Sequence, residues 1–382
     1  MSQPQGQVAF FDMVRFLQPL HAELLAALQR CLNHATFVLG PEVMTFESQL
    51  AQFLEVPHAV GVSSGTDALL ATFMALQRSA GELAAFKPGD EVLTTPFSFI
   101  SSATSILRAG LRPVFADVEP GRLHPGADEL AHAWTPRTRA VLVVHLFGEP
   151  LELSEIKKLC VSRRAVLVED CAQAIGATQP DGRAVGTTGA AGCFSFFPAK
   201  NLGALGDGGA VITSDDSLAA RIRDTRQHGQ ALRYQFDSLG GNFRLDALQA
   251  AFLSVLLPHL PSWLAARRSN ALFYLTHLAP LAAQRPELLR LPAQKAGHGW
   301  NQFVVRSSER TKLRNALQAQ GIQTQVYYPT ALHQQAALAA AQPAPSLPEA
   351  EHACREVLAL PIAPGLTQSD LERVVAAVQS AF

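Results

Sequence analysis

From about residue 58 to 215, short apolar runs rich in β-branched residues alternate with segments of helical period. The runs are His58–Val62, Glu91–Thr94, Arg112–Ala116, Ala140–His145, Ala165–Glu169, Gly192–Phe196 and Gly209–Thr213. Two stretches, Ala140-Val141-Leu142-Val143-Val144 and Ala165-Val166-Leu167-Val168, are apolar without alternation. A strand reads that way when both of its faces are covered, as in a parallel sheet held between helices. The intervening helices have start and stop marks: Thr66-Asp67 opens Ala68–Arg78, and a helix carrying Ser154 and Lys157 ends near Val161. The pattern predicts a mainly parallel, doubly wound α/β sheet.

Ahead of the sheet, Leu24, Leu25, Leu28 and Leu32 recur at helical spacing within Leu20–Leu32, and Glu47–Leu54 reads as a second helix. After it, Asp216–Gln227 and Leu245–Phe273 are helical, with Pro258 and Pro261 breaking the latter in two. From about residue 295 an α+β unit follows. It has a strand at Asn301–Arg306, a helix at Arg310–Gln320, a strand near Thr324–Val326 and a terminal helix at Ser369–Gln379. Ala336–Pro348, rich in Ala, Pro and Gln, is expected to be a loop or weak helix.

Composition narrows the class. A chain of 382 residues is long enough for two or three domains. We expect a large unit over 1–260, N-terminal helices included, and a small C-terminal unit over 261–382. Hydrophobic residues at 48% against charged residues at 16% exclude an intrinsically disordered chain. Lys+Arg 31 against Asp+Glu 32 gives a formal charge of −1, so no basic surplus draws in nucleic acid or an anionic membrane. The five cysteines, Cys31, Cys160, Cys171, Cys193 and Cys354, are scattered and form no Cys-x-x-Cys pair. That fits reduced thiols in a cytoplasm better than disulfides or a metal site. The polar start lacks the basic region of a signal peptide, and apolar stretches are expected to fall short of a membrane span.

Three segments carry candidate chemistry. In Gly61-Val62-Ser63-Ser64-Gly65-Thr66-Asp67, a strand enters a small-residue turn and then a helix. Free amides at a helix start bind anions, although such a turn also serves simply to cap the helix. In Val166-Leu167-Val168-Glu169-Asp170, two acids close a buried strand at its carboxyl end, where open α/β sheets place their ligands. Asp170 reads either as a helix cap or as the partner of a protonated ring nitrogen. In Phe194-Ser195-Phe196-Phe197-Pro198-Ala199-Lys200, a lysine sits in apolar company before a glycine-rich turn. Desolvation would lower its pKa and favour Schiff-base chemistry, whereas an ordinary loop lysine stays in water. Anion cradle, strand-end acid and buried amine together match what pyridoxal phosphate requires.

With those three segments and three more, the chain resembles the DegT/DnrJ/EryC1/StrS family of pyridoxal-phosphate-dependent sugar aminotransferases. The further matches are Pro88-Gly89-Asp90-Glu91-Val92 with Thr95-Pro96-Phe97-Ser98-Phe99, Gly241-Asn242-Phe243-Arg244-Leu245-Asp246, and Tyr328-Pro329 with Leu332-His333. The resemblance implies the fold-type I, aspartate aminotransferase-like architecture, with a mainly parallel seven-stranded large domain and a smaller α+β domain. It implies that Lys200 forms the Schiff base and shuttles the proton, that Asp170 keeps the pyridine nitrogen protonated, and that Gln173 reaches the cofactor's O3′. It assigns Gly65, Thr66, Asp67 and Ser195 to the phosphate and Phe99 to stacking on the ring. It further has Asn242 reach the phosphate of a partner subunit across a homodimer interface. Plain readings stand beside these: Phe99 as core and Asn242 as a helix cap. His228, Tyr328 and His333 are candidate sugar-nucleotide contacts. His145-Leu146-Phe147-Gly148 departs from the family's usual His-x-Tyr-Gly and lacks that hydroxyl.

The implied reaction moves an amino group from an amino acid, glutamate being the common family donor, to a nucleotide-linked 3-keto or 4-keto sugar. A sugar dehydratase on the same scaffold and a non-catalytic cofactor-binding regulator are the alternatives. A nicotinamide dehydrogenase is disfavoured, because the first strand is not followed by Gly-x-Gly-x-x-Gly. No metal is expected.

Overall fold

β1 (His58–Val62), β2 (Glu91–Thr94), β3 (Arg112–Phe115), β4 (Thr138–Val144), β5 (Val166–Asp170), β6 (Ala191–Ser195) and β7 (Gly209–Thr213) form one sheet in the computed structural model of the chain. The structure describes residues 6–79, 86–339 and 345–382. Strand order is β1-β7-β6-β5-β4-β2-β3. The pairs β2–β3, β2–β4, β4–β5 and β5–β6 are parallel, whereas β7 runs antiparallel to both of its neighbours.

The continuous apolar runs have the expected cause. Ala140 and Leu142 of β4 enter the core beneath the helix Gly65–Leu76, with Val60, Val168 and Val211. Val141 and Val143 enter the opposite core, with Leu167 and the helix Ser154–Ser162. Each such Val or Leu side chain contributes about 1.5–3 kcal/mol by leaving water, and the β-period distributes them between the two faces.

β8 (Gln230–Leu232) and β9 (Gln235–Phe236) form a hairpin with Leu232, Tyr234 and Phe236 exposed. β10 (Phe303–Arg306) and β11 (Val357–Leu360) pair antiparallel. With the helices Leu260–Gln284, Arg310–Ala319 and Gln368–Ser380 they enclose a further core around Tyr274, Phe303, Leu358 and Val374. Tyr274 is fully buried, and its hydroxyl donates to the Pro361 carbonyl at 2.9 Å.

Several boundaries differ from the sequence reading. The helix expected at Ala68–Arg78 starts at Gly65, because Ser64 and not Thr66 is the cap: its Oγ accepts the Asp67 amide at 3.1 Å. The helix expected at Glu47–Leu54 runs Pro41–Phe53, with Pro41 in its first turn, where a missing amide costs nothing. The long helix does break at Pro258, into Ala247–Leu256 and a 3₁₀ turn Leu257–His259. Pro261 then lies in the first turn of a helix that continues through Pro280 to Gln284. The strand expected near Thr324–Val326 is a single bridge, Gln325 to Ala359. β10 instead pairs with β11, in a stretch where no strand was expected. Ala336–Ala339 is a short helix, and residues 340–344 of the expected loop lie outside the described residues.

Contrary to the expectation that apolar stretches fall short, Ala247–Gln284 is long and apolar enough to cross a membrane by length and composition. Ala250 and Leu253 of this run pack into one core of the large sheet, and Ala271, Tyr274 and Leu278 into the core of the small one.

Candidate active site

The sheet register brings three strand ends together. Val62 pairs with Gly209, Gly209 with Ser195, and Cys193 with Asp170. The turn after β1, the end of β6 and the end of β5 therefore meet at one edge, around a cavity of ≈ 440 Å³. Ser64, Gly65, Thr66, Phe99, Asp170, Gln173, Ser195, Lys200 and Tyr328 all line it.

The helix start is packed closely against the neighbouring strands. A Cβ on Gly65 would stand 2.6 Å from the Ser195 Cβ, and one on Gly209 would stand 2.4 Å from the Ser64 carbonyl carbon. Only glycine permits these approaches. They place the first turn of Gly65–Leu76, where backbone amides lack helical partners, beside the Ser195 hydroxyl. Asp67 is turned away from the cavity: its Oδ2 accepts from the hydroxyls of Ser63 at 2.7 Å and Ser64 at 3.0 Å.

Asp170 is buried at the end of β5, where its Oδ2 accepts from Ser102 Oγ at 2.8 Å and its Oδ1 from the Ala172 amide at 3.1 Å. Burial raises its pKa, an effect only partly offset by those two bonds and by the charge of Lys200. Lys200 is half-buried and lines the cavity. Burial lowers its pKa to about 8, with Asp170 opposing the change. A carboxylate in this position with no cationic hydrogen-bond partner among the described residues suits a protonated ring nitrogen, and a partly neutral amine suits a carbonyl carbon.

Behind the site, Glu169 and His145 are both fully buried, with Glu169 Oε2 2.9 Å from His145 Nε2. Glu169 also accepts the amides of Gly186 at 2.8 Å, Thr188 at 2.8 Å and Gly189 at 2.7 Å. Burial alone would raise its pKa, but the bonds to His145 and to these amides outweigh it and hold the group charged. His145, Glu169 and Cys171 lie within metal-ligand range of one another, as do Cys31, His34 and Glu42. Burial raises the thiol pKa at Cys171 and Cys193, which leaves both unreactive.

Gln173 bridges two elements. Its Oε1 accepts the Phe147 amide at 2.7 Å and its Nε2 donates to the Tyr328 hydroxyl at 3.2 Å. One amide hydrogen remains for a ligand. Phe147 thus contributes its backbone amide, at φ 61°, while its ring is buried. Phe99 is 56% exposed, which favours a ligand-facing ring over a core residue, and it lies 6.3 Å from the Tyr328 ring.

The other expected residues lie elsewhere. His333 is buried behind the cavity, with Nε2 3.1 Å from Glu351 Oε1 and its ring near Phe115. His228 and Asn242 are exposed and do not line the cavity. The cavity does bring in Ser102, Asp207, Asn301, Gln302 and Tyr327, none of which the sequence reading singled out. Ser102 could have been found from its place on the helix that follows Phe99. Asn301 and Gln302 carried no local signal beyond a strand start.

The residues present fit pyridoxal phosphate: an anion cradle, a buried acid awaiting a cation and an amine of depressed pKa share one cavity. The DegT/DnrJ/EryC1/StrS aminotransferase family matches residues 18–379. The chain is 39% identical over 374 residues to an Acidithiobacillus ferrooxidans UDP-N-acetyl-3-dehydro-alpha-D-glucosamine 3-aminotransferase, covering 97% of each chain. It is 41% identical over 376 residues to a Streptomyces venezuelae dTDP-3-amino-3,4,6-trideoxy-alpha-D-glucose transaminase, covering 98% of this chain and 96% of that one. The crystal structure of S. venezuelae DesV with a ketimine intermediate superimposes with a TM-score of 0.90 at 39% identity, over 99% of both chains. The chain therefore belongs to the DegT/DnrJ/EryC1/StrS family, with the fold-type I architecture, and is a pyridoxal-phosphate-dependent aminotransferase.

Proposed function

We propose that the chain transfers an amino group from glutamate to carbon 3 of a nucleotide-linked 3-keto sugar. The carrying observation is that Lys200 and Asp170, with opposed pKa shifts, face one cavity beside a helix N-terminus. Position 3 is favoured over position 4 because one relative described above is named for amino transfer at position 3 of a 3-dehydro sugar and the other for a 3-amino sugar.

Pyridoxal phosphate, when bound, supplies an electron sink for negative charge at the substrate carbon. The chain's residues do the rest. Free amides at Gly65 and Thr66, with the Ser195 hydroxyl, would hold the phosphate. Asp170, oriented by Ser102 and the Ala172 amide, would keep a proton on the ring nitrogen. Lys200 Nζ would hold the cofactor's carbonyl carbon and move the substrate proton. The free amide hydrogen of Gln173 would reach the ring oxygen, and Phe99 would cover the ring face. Tyr328, in the same cavity, would contact the sugar.

We further propose that the enzyme is a cytoplasmic homodimer with shared sites. The exposed apolar surface at and just after the hairpin supports the dimer, since Leu232, Tyr234, Phe236 and Leu239 are each more than half exposed. Asn242, outside this chain's own cavity, is then free to serve the partner's, and His228 lies on the same surface. We divide the chain at residues 260/261, at the start of the helix Leu260–Gln284 that follows the 3₁₀ turn Leu257–His259.

The test is a mass-spectrometric screen of the holoenzyme with glutamate and nucleotide-linked 3-keto and 4-keto sugars. Amine gain on the 3-keto sugars with 2-oxoglutarate release is expected. Loss of water without amine gain, or glutamate left intact with every sugar, overturns the reading.

A further inference from the structure

We propose that the chain carries a second binding site, for a small oxyanion, in a separate cavity that shares a wall with the substrate cavity. This cavity has a volume of ≈ 170 Å³ and lies between the loops at 121–123 and 147–149 and the segment 290–306. Gln302 lines both cavities, and so forms the common wall.

The charge around it is unbalanced. Four cationic side chains line the space: Arg122, Arg290, Lys295 and Arg306. Arg122 pairs with Glu119 at 2.9 Å, Lys295 with Glu149, and Arg306 through Nε with Glu356 at 2.9 Å. Glu149, the one carboxylate in the lining, is engaged by Lys295 and lies 3.7 Å from His124. His298, also in the lining, is kept neutral, because burial lowers its pKa to about 3. Among the described residues, Arg290 has no carboxylate within ion-pair distance, and its Nε reaches only the Pro286 carbonyl at 3.4 Å.

The backbone sharpens the imbalance. Arg290 and Arg306 exchange two hydrogen bonds, at 2.8 and 2.9 Å, as a directly opposed antiparallel pair. Their side chains therefore leave the ladder on the same side, an arrangement that is unfavourable for like charges unless something negative lies between them. Arg306 is 6% exposed, and its Nη1 and Nη2 both lack a protein partner. Buried guanidinium donors without acceptors carry a desolvation cost that a planar or tetrahedral oxyanion removes by bridging the fork. Phosphate chemistry fits. It has two sources, free inorganic phosphate or the phosphate of a nucleotide reaching past Gln302.

The test uses holoenzyme, whose cofactor site is already filled, in a low-salt chloride buffer. Calorimetric titration with inorganic phosphate should show saturable binding of about one ion per chain. Arg290→Gln, an exposed position, should weaken it at least about tenfold, as loss of a charge-assisted bond predicts, and Arg306→Gln should do the same. Should Arg306→Gln fail to fold, Arg290→Gln alone decides. Uridine and thymidine diphosphate are then titrated. If they displace phosphate and also weaken with Arg290→Gln, the nucleotide is the source. If they ignore Arg290→Gln while phosphate does not, the site serves free oxyanion. Absence of saturable phosphate binding, or binding unchanged in Arg290→Gln (an adventitious ion only), overturns the proposal.

Discussion

The amine of Lys200 offers the sharpest test of the site's electrostatics. An ordinary lysine titrates at 10.5, and burial brings Lys200 to about 8. That difference is worth about 3 kcal/mol in favour of the neutral form. At neutral pH about a tenth of the molecules then carry a free amine, against about three in ten thousand for a solvated lysine. Because only the neutral amine attacks a carbonyl, the rate at which cofactor-free protein recaptures pyridoxal phosphate, followed by visible absorbance, should rise with pH to a midpoint near 8. The perturbation is Asp170→Asn. Asp170's charge raises the lysine's pKa, so removing it should move the midpoint further down. The same linkage acts on stability. Since the folded pKa is depressed, the unfolded chain holds the proton more tightly between about 8 and 10.5, and the apoprotein should gain stability as pH rises through that window. Lys200→Met should flatten that rise. A recapture midpoint at the ordinary lysine value, or an upward movement in Asp170→Asn, would refute the argument.

Two further substitutions probe the frame of the site. Gly65→Ala drives a methyl to 2.6 Å from the Ser195 Cβ and 3.2 Å from its Cα, neither of which can yield cheaply. Strain of about 1–3 kcal/mol should open the cradle and raise the dissociation constant for pyridoxal phosphate at least tenfold in equilibrium dialysis; an unchanged constant would show that the cradle does not hold the cofactor. Glu169→Gln removes a buried charge that three amides and His145 share, so the urea midpoint should fall by the equivalent of about 3–5 kcal/mol. A midpoint within error of the parent would mean that this network is not what fixes the end of β5.

Much of this was written locally in the chain. The unbroken apolar runs in β4 and β5 read as strands covered on both faces, and Asp170 and Lys200 stood out as polar groups in apolar company. The family match then carried the roles. Where sequence reading slipped, the competing signal was also local: Ser64 and Thr66 are both fair helix caps, and Val357–Leu360 follows a helix with no turn residue to mark it as a strand.

Other features had no local signal at all. Nothing in the neighbourhood of Asn301 or Gln302 says that they will line the same cavity as Lys200. Nor does anything near Arg290 say that it will stand opposite Arg306. Periodicity records which face of an element meets the core, since that depends on neighbours a few residues away. Which elements meet, and in what register, is decided by packing between segments hundreds of residues apart. The chemistry of each side chain was therefore determined by the sequence, and the company it keeps was determined only by the folded whole.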